Sequence, residues 1–256
     1  MAWPFLNTAH PFGFAHQGGD EVAPGNTMAA FEHAVSLGYT YIETDVQATA
    51  DGVLVVFHDD DLQSLTGVAA RVDELAWSEV KELRVGDEHP ICRFDDVVAA
   101  FDGVRFNIDP KAASAVEPLI DAIRANDIVD RVLVGSFSDR RVRAVRNAFG
   151  DRLATSPGPF GLVGVLIRAL IMPWWRPGYA AVQIPTTYWS VPLAASFLIR
   201  RYHRLGLQVH VWTIDDEVEM NDLFDRGVDA IISDRPTVLR RVLQARGSWP
   251  EDDEVA

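Results

Sequence analysis

Two carboxylates in the segment Tyr-Ile-Glu-Thr-Asp-Val form the most informative pair of residues in the sequence. Glu43 and Asp45 are two positions apart in a predicted β-strand, so both side chains point to the same face. Two acids directed into the interior of a fold are costly unless a cation or hydrogen-bond donors compensate them. Their hard oxygen atoms suit Ca²⁺ or Mg²⁺. The spacing therefore indicates a divalent metal site, and the alternative is a surface strand with exposed acids.

A second pair with the same spacing occurs in the segment Phe-Asn-Ile-Asp-Pro-Lys. Asp109 and Lys111 share a strand face, together with Asn107. This pattern is consistent with a third metal ligand beside a cation that binds a phosphate oxygen. An ordinary ion pair is the alternative.

Two histidines lie at the ends of predicted strands. His16 ends the first strand and is followed by Gln17, whereas His58 ends a short β-rich run and precedes three aspartates. Histidine changes its charge near neutral pH, which suits general acid–base catalysis. The pair therefore predicts acid–base chemistry beside the acidic cluster. We expect four further histidines to be structural or exposed, namely His33, His89, His203 and His210.

The elements that must position these residues alternate between short β-rich runs and helical patterns, which is typical of a parallel sheet built from βα units. The predicted strands are Gly13–His16, Tyr41–Val46, Arg105–Asp109, Val132–Ser136, Leu153–Thr155, Ala180–Ile184, Gln208–Thr213 and Ala230–Ser233. The predicted helices include Thr27–Leu37, Ala115–Asn126, Asp139–Phe149, Pro192–Leu205 and Glu217–Arg226. This count and the length of 256 residues predict a single-domain (β/α)8 barrel of the α/β class. A doubly wound open sheet is the main alternative, but its phosphate-binding glycine fingerprint is absent.

The run Val53–Phe57 follows the second strand too closely to be the next parallel strand, because a parallel crossover needs about a dozen residues. Asp51 and Gly52 are typical of a tight hairpin turn. We therefore predict a β-hairpin after the second strand, which returns His58 to the rim of the barrel.

Composition limits the partners and the location of the chain. The net charge of −14 disfavours nucleic acid and an anionic membrane as bulk electrostatic partners. A single cysteine excludes an intramolecular disulfide, and the N-terminus does not resemble a signal peptide. No apolar run reaches the ~20 residues that span a bilayer. We expect a cytoplasmic enzyme with one domain at 1–246 and a disordered acidic tail at 247–256.

Several motifs together resemble the glycerophosphodiester phosphodiesterase family. They are His-Gln-Gly-Gly at 16–19, Pro-Gly-Asn-Thr at 24–27, Glu-Thr-Asp-Val-Gln-Ala-Thr-Ala-Asp-Gly at 43–52 and Val-Val-Phe-His-Asp at 55–59. The segments Val-Trp-Thr at 211–213 and Gly-Val-Asp-Ala-Ile-Ile-Ser-Asp-Arg-Pro at 227–236 resemble the family as well. The resemblance extends from about Phe14 to Val242. It implies a TIM barrel that hydrolyses phosphodiesters in lipid metabolism.

The resemblance also implies roles for particular residues. His16 and His58 take the places of the catalytic acid and base. One Mg²⁺ or Ca²⁺ ion is expected at the top of the barrel, on the ligands Glu43, Asp45 and Asp109. The implied phosphate- and substrate-binding residues are Gln17, Lys111 and Trp212.

Four departures from the family pattern weaken phosphate binding in principle. Gln17 replaces the usual arginine, and Gly25 replaces the glutamate of the Pro-Glu-Asn-Thr motif. Asp109 is one methylene shorter than the usual glutamate, and the stretch Leu62–Thr66 lacks the family's arginine. The expected acid–base pair and metal ligands remain, so the sequence still favours an active enzyme.

The expected reaction is metal-dependent hydrolysis of a glycerophosphodiester or lysophospholipid to a glycerol phosphate or lysophosphatidate and an alcohol. The apolar segment from Phe160 to Trp175 is either a buried crossover helix, with Arg168 reaching outward, or an element in peripheral contact with a membrane. The second interpretation favours a lysolipid substrate. Two other functions stay open, a phospholipase or sphingomyelinase D-like enzyme and a noncatalytic phosphate- or lipid-binding barrel.

Overall fold

The computed structural model describes residues 3–8, 11–172, 174–188 and 191–249. The strands are β1 Phe12–His16, β2 Tyr41–Ala48, β3 Leu54–Val56, β4 Arg84–Val85, β5 His89–Pro90, β6 Arg105–Pro110, β7 Val132–Val134, β8 Ala154–Thr155, β9 Ala181–Ile184, β10 Thr187–Tyr188, β11 Val191–Pro192, β12 Gln208–Val211 and β13 Ala230–Ser233. The α-helices are α1 Met28–Ser36, α2 Gln63–Thr66, α3 Trp77–Val80, α4 Phe94–Ala100, α5 Val116–Ala125, α6 Asp139–Phe149, α7 Pro159–Ile171, α8 Ser196–Arg204, α9 Glu217–Arg226 and α10 Pro236–Ala245.

Eight parallel strands form the barrel, in the order β8-β7-β6-β2-β1-β13-β12-β9. The seam between the two end strands is bridged by hydrogen bonds. The backbone N–H of Ala180 donates to the carbonyl of Thr155 at 2.8 Å, and the backbone N–H of Gln183 donates to the Ser156 hydroxyl at 3.2 Å. A helix follows each barrel strand. The predicted single-domain (β/α)8 barrel is therefore confirmed.

The barrel strands are buried on both faces, as expected for a parallel sheet covered by helices. All eight residues of β2 are buried. Ile42 and Val46 pack in the cluster between the sheet and the helices. Phe12, Phe14 and Tyr41 form an aromatic cluster of their own, with 4.6 Å between the ring centroids of Phe12 and Tyr41. Glu43 and Asp45 alternate with the helix-facing residues along β2, so the barrel geometry directs both carboxylates to the opposite face.

The predicted hairpin is present. Strand β3 pairs antiparallel with β2, and the turn between them contains Gly52 in the left-handed region, with φ at +83°. His58 follows β3 by two residues. The segment from α2 to β5 then covers the hairpin through a separate apolar cluster that includes Val55, Phe57 and Leu62. This packing holds the peptide that carries His58 above the second barrel strand.

One predicted helix begins later than expected. The sequence pattern predicted a helix over Pro192–Leu205, but α8 starts at Ser196. Val191 and Pro192 instead pair with Thr187 and Tyr188 in a short antiparallel ladder. This local pairing extends the connection after β9 and removes the first turn from the predicted helix.

In the described part of the chain, no helix is long and apolar enough to cross a membrane. The C-terminal segment that was expected to be a tail begins with packed residues, because the Trp249 ring lies 4.7 Å from the ring of Tyr39. The acidic run from Glu251 to Glu254 lies outside the described residues.

Candidate active site

The parallel register brings four of the predicted site residues together in two successive levels of the barrel. His16 on β1 is opposite Glu43 on β2, and Asp45 on β2 is opposite Asp109 on β6. The three carboxylates are buried, with exposed fractions of 8% for Glu43, 1% for Asp45 and 8% for Asp109. They lie toward the carboxyl ends of their strands, where active sites of this architecture are found.

His16 is held between two acids. Its Nδ1 atom lies 2.5 Å from Oδ1 of Asp234, and its Nε2 atom lies 3.6 Å from Oε2 of Glu43. Burial tends to lower the pKa of His16, but the hydrogen bond with Asp234 and the charges of Glu43 and Asp234 outweigh burial and raise it to about 9. Because the Asp234 carboxylate accepts from Nδ1–H, Nε2 is the nitrogen presented to the acidic cluster.

Lys111 lies between two of the buried acids. Its Nζ atom is 2.8 Å from Oδ1 of Asp45 and 2.9 Å from Oδ2 of Asp109. Burial tends to lower the pKa of Lys111, but these two carboxylates raise it above its usual value. The ammonium group therefore stays charged, and the ion pair that the spacing offered as an alternative is formed.

Gln17 is oriented toward Asp45. Its Nε2 atom donates to Oδ2 of Asp45 at 2.6 Å, and Nδ2 of Asn26 donates to the same oxygen at 2.9 Å. Gly25 makes room for this arrangement, because a Cβ atom there would lie 2.7 Å from Oε1 and 2.8 Å from Cβ of Gln17. Two of the departures from the family pattern, Gln17 and Gly25, are therefore coupled through space.

The buried carboxylates are the donor set that a divalent cation would use. Within the described ranges, no group of three His, Cys, Asp or Glu side chains is already arranged to hold a metal ion. Even so, Oε2 of Glu43 and Oδ1 of Asp109 are buried and have no hydrogen-bond partner in the described structure. Burial, followed by the charge of Asp45, raises the pKa of Glu43 to about 8. Unpartnered buried carboxylate oxygens fit a hard cation, which would compensate their charge.

His58 lies at the rim and is more accessible than His16, because 49% of its side chain is exposed. Its Nδ1 atom is 2.8 Å from Oδ1 of Asp59, whose Oδ2 accepts from the Ser64 hydroxyl at 2.5 Å. The Ser64 hydrogen bond lowers the pKa of Asp59, and His58 contributes to the same shift. The Gln47 side chain donates to the carbonyl of Asp59. His58 forms no hydrogen bond or ion pair with the buried acids in the described structure.

Trp212 follows β12 and forms an aromatic contact beside the acidic cluster. Its ring is 5.6 Å from the ring of Phe137 in an edge-on arrangement, and Nζ of Lys111 lies 6.0 Å from the Phe137 ring. The Phe137 side chain is 64% exposed. Trp212 and Phe137 thus line one side of the mouth, next to the lysine.

Three functional candidates were missed by reasoning from single residues. Asp234, Asn26 and Asp59 each hold a predicted site residue, and each lies inside a motif that was noted only as a segment. Asp234 directly follows β13, which could have indicated a role, but the partners of all three residues depend on the barrel. A cavity of about 530 Å³ adjoins Asp234 and is lined in part by Asp20 and Asp215.

Comparison with known proteins shows what the chain resembles. The model of the glycerophosphoryl diester phosphodiesterase family matches residues 16–238. The chain is 39% identical over 254 residues to "Probable glycerophosphodiester phosphodiesterase 2" of Mycobacterium tuberculosis, with 96% of this chain and 95% of that protein covered. It is 26% identical to "Lysophospholipase D GDPD1" of Homo sapiens, with 90% and 85% covered.

A solved structure shares the fold. The phosphodiesterase of Oleispira antarctica, solved in complex with the product sn-glycerol-3-phosphate, superposes with a TM-score of 0.76 at 21% identity. The superposition covers 92% of this chain and 97% of that chain.

Proposed function

The chain belongs to the glycerophosphoryl diester phosphodiesterase family, and we propose that it hydrolyses a glycerophosphodiester to a glycerol phosphate and an alcohol. It is a phosphoric diester hydrolase of the barrel type. The observation that carries this proposal is the position of His16, which is oriented by Asp234 and directs Nε2 toward Glu43, one of three buried carboxylates in the site. The product bound in the Oleispira relative is of the same chemical class.

In the proposed mechanism, one of the two histidines His16 and His58 is the general acid and the other is the general base. One histidine removes the proton from the nucleophile, which is water or a neighbouring glycerol hydroxyl that closes a cyclic phosphate, and in the second case water then opens the ring to give the glycerol phosphate. The other donates a proton to the oxygen of the leaving alcohol. Asp234 and Asp59 support these roles because each accepts a hydrogen bond at Nδ1, which orients the ring and leaves Nε2 for the reaction.

We propose that Glu43, Asp45 and Asp109 hold one Mg²⁺ or Ca²⁺ ion. The support is the pair of buried oxygens on Glu43 and Asp109 that accept no hydrogen bond in the described structure, together with the hard donor set. When bound, such an ion supplies Lewis-acid polarisation of a nonbridging phosphate oxygen. Lys111 already shares Asp45 and Asp109, so it helps to balance the charge of the cluster.

Three further residues are proposed to bind the substrate. The ammonium group of Lys111 stabilises charge on the phosphoryl oxygens. Gln17 uses one amide hydrogen on Asp45 and retains the other for a phosphoryl oxygen. Trp212, with its neighbour Phe137, forms an apolar side of the pocket for the alcohol or glycerol portion.

A lysophospholipid is the alternative substrate. The human relative carries the name lysophospholipase D, and helix α7 does not behave as a fully buried crossover helix. Phe160 is 87% exposed and Trp174 is 72% exposed. We therefore propose peripheral membrane contact through Phe160 to Trp175. A cytoplasmic location remains part of the proposal, on the basis of the single cysteine.

The test is an assay of the purified protein with glycerophosphocholine and lysophosphatidylcholine. EDTA is added first, and Mg²⁺ or Ca²⁺ is then restored, with His16→Ala as the control. Hydrolysis that returns with the metal and is lost in the variant is the expected result. Analysis of the products distinguishes this hydrolysis from the reaction of a phospholipase or sphingomyelinase D-like enzyme. Absence of turnover with both substrates and both metals would instead indicate a noncatalytic phosphate- or lipid-binding barrel.

A further inference from the structure

The acidic residues of this chain are unevenly distributed. The protein has 37 Asp and Glu residues and a net charge of −14, yet none of them occurs in the segment 152–214. Apart from two histidines, the charged side chains of this segment are all arginines: Arg152, Arg168, Arg176, Arg200, Arg201 and Arg204. The segment includes helices α7 and α8, which pack against each other on the outside of the barrel. One side of a strongly acidic protein is therefore positively charged.

Helix α7 exposes an apolar stripe along this side. Large apolar side chains recur at three- and four-residue spacing and share one helical face. The exposed members are Phe160, Val163, Ile167, Leu170 and Ile171. The opposite face of the helix is buried through Val165 and Ala169. Exposed fractions of 87% for Phe160 and 64% for Ile171 are unusual for side chains of this size.

Helix α8 continues this surface with charge. Phe197, Arg200 and Arg204 are exposed at spacings of three and four residues, while Leu198 and Ile199 face the core. In the described part of the chain, Arg200 and Arg204 form no ion pair with a carboxylate. Arg168 and Arg176 also form no ion pair there, but Arg168 donates to the carbonyl of Gly164 and lies over the Trp175 ring, and Arg176 donates to the carbonyl of Trp175. The guanidinium groups of Arg200 and Arg204 are thus available to an external anion.

The surface extends to the mouth of the barrel. Helix α7 begins directly after the loop that follows β8, so Phe160 lies at the end of the stripe nearest to the active site. The exposed Phe137 lies in the loop that follows β7, and its ring centroid is 5.6 Å from that of Trp212. We call the exposed residues of the two helices, from Phe160 to Ile171 and from Phe197 to Arg204, the α7–α8 face.

We propose that the α7–α8 face docks the enzyme on an anionic lipid surface and places the mouth beside it. This inference rests on the proposed membrane contact and adds the charge of the lipid. Apolar side chains enter the boundary between headgroups and acyl chains, while neighbouring arginines bind the anionic headgroups. The net charge of −14 disfavours an anionic membrane for the protein as a whole, so docking depends on this local basic surface, and an anionic surface repels the other orientations.

A second copy of the chain fits this face less well. A two-fold interface pairs the same patch on both subunits. Such pairing would bring Arg200 and Arg204 of the two copies together without a carboxylate from the segment 152–214 to balance them. An anionic lipid surface satisfies both the apolar stripe and the arginines.

The experiment measures binding of the full chain to vesicles by co-sedimentation. One set of vesicles is pure phosphatidylcholine, and the other is an equal mixture of phosphatidylcholine and phosphatidylglycerol. Three proteins are compared on both sets of vesicles: the wild type, the charge variant Arg200→Gln/Arg204→Gln and the apolar variant Phe160→Ser/Ile167→Ser. The matched controls are Lys81→Gln/Arg84→Gln, which removes two exposed charges from the insertion after β3, and Val218→Ser on α9.

We expect binding to the mixed vesicles that weakens with salt and is much weaker with pure phosphatidylcholine. The charge variant should bind at least about tenfold more weakly, since each basic residue near an anionic surface contributes about fivefold. The apolar variant should also lose binding, and both controls should keep it.

Equal binding to both vesicles would overturn the anionic preference but keep the membrane contact. Failure to bind either, or a concentration-dependent dimer abolished by the apolar variant, would overturn the docking proposal. Hydrolysis of glycerophosphocholine is measured separately and reports on the proposed activity alone.

Discussion

Two regions of the barrel use charge in opposite ways. At the ends of β1, β2, β6 and β13, buried acids converge around His16 and Lys111, and register and hydrogen bonds set each position. On α7 and α8 the acids are absent, and arginines alternate with exposed apolar side chains. The first region places charge in a low-dielectric interior, where its effect on bound groups is large. The second region places charge at the surface, where the charge acts on a partner with a large surface of its own.

The difference between the regions separates chemistry from location. A change among the buried acids alters interactions of several kcal/mol, because a buried charge that loses its partner is strongly unfavourable. A change on the α7–α8 face alters contacts that the folded monomer does not need. Turnover of a water-soluble substrate and attachment to a lipid surface should therefore respond to different substitutions, and the following predictions test this separation.

The largest effect is expected from His16→Ala. Loss of a general acid or base should reduce kcat for glycerophosphocholine by about 100- to 10,000-fold. His203→Ala is the matched control, since His203 also pairs with a carboxylate, Nε2 to Oδ2 of Asp229 at 2.7 Å, but follows no barrel strand end. A His16→Ala variant with nearly normal kcat would remove His16 from the proposed mechanism.

A smaller loss is expected from Asp234→Asn. The amide can no longer attract the Nδ1 proton as the carboxylate does, so His16 should be less well oriented, and kcat should fall by about tenfold or more with little change in KM. Nitrogen NMR of the labelled histidine should show a changed tautomer population. Asp20→Asn is the control in the same cavity. A raised KM with an unchanged kcat would indicate that Asp234 contacts the substrate instead.

The coupling of Gln17 and Gly25 should appear in a double-mutant cycle. Gly25→Ala places a Cβ atom against Gln17 and should lower the free energy of unfolding by about 1–3 kcal/mol, as overpacking does. In a Gln17→Gly background the same substitution should cost much less, because both contacting atoms are gone. Chemical denaturation of the four proteins measures the interaction. Strictly additive costs would contradict the coupling.

Helix α7 permits a comparison of its two faces. Ile171→Ser, at a 64% exposed side chain, should change the free energy of unfolding by no more than about 0.5 kcal/mol. Val165→Ala, at a 1% exposed side chain, should lower it by about 1–3 kcal/mol. Thermal or denaturant unfolding tests both. Equal losses would mean that the exposed stripe is covered within the protein itself.

A small effect that depends on pH concerns His203 and Asp229. Their hydrogen bond raises the pKa of His203 above its usual value of about 6.5. The extra stability is therefore complete at pH values below about 6.5 and is lost as pH rises through the raised folded-state pKa. His203→Gln should reduce the free energy of unfolding in mildly acidic buffer by less than about 1 kcal/mol and by less in alkaline buffer. Equal reductions at both pH values would show that the charge plays no part.

Much of the fold was predictable from local patterns. The alternation of β-rich and helical runs predicted the eight-stranded barrel, and the short Asp-Gly connection predicted the antiparallel pairing of β2 with β3. The start of α8 was not predictable, since Pro192 fits the first turn of a helix as well as a short ladder. Whether Pro192 begins the helix or joins the ladder depends on its pairing with Thr187, which lies outside the helical pattern.

The sequence by itself determined which side chains share a strand face, because alternation along a strand is a local property. That was enough to group Glu43 with Asp45 and Asp109 with Lys111. Only the tertiary structure decided which partner each of them meets. His16 contacts Asp234 across a separation of 218 residues, Lys111 bridges two neighbouring strands, and Gln17 reaches Asp45 over Gly25. Such contacts depend on barrel closure and strand register, which no local pattern encodes.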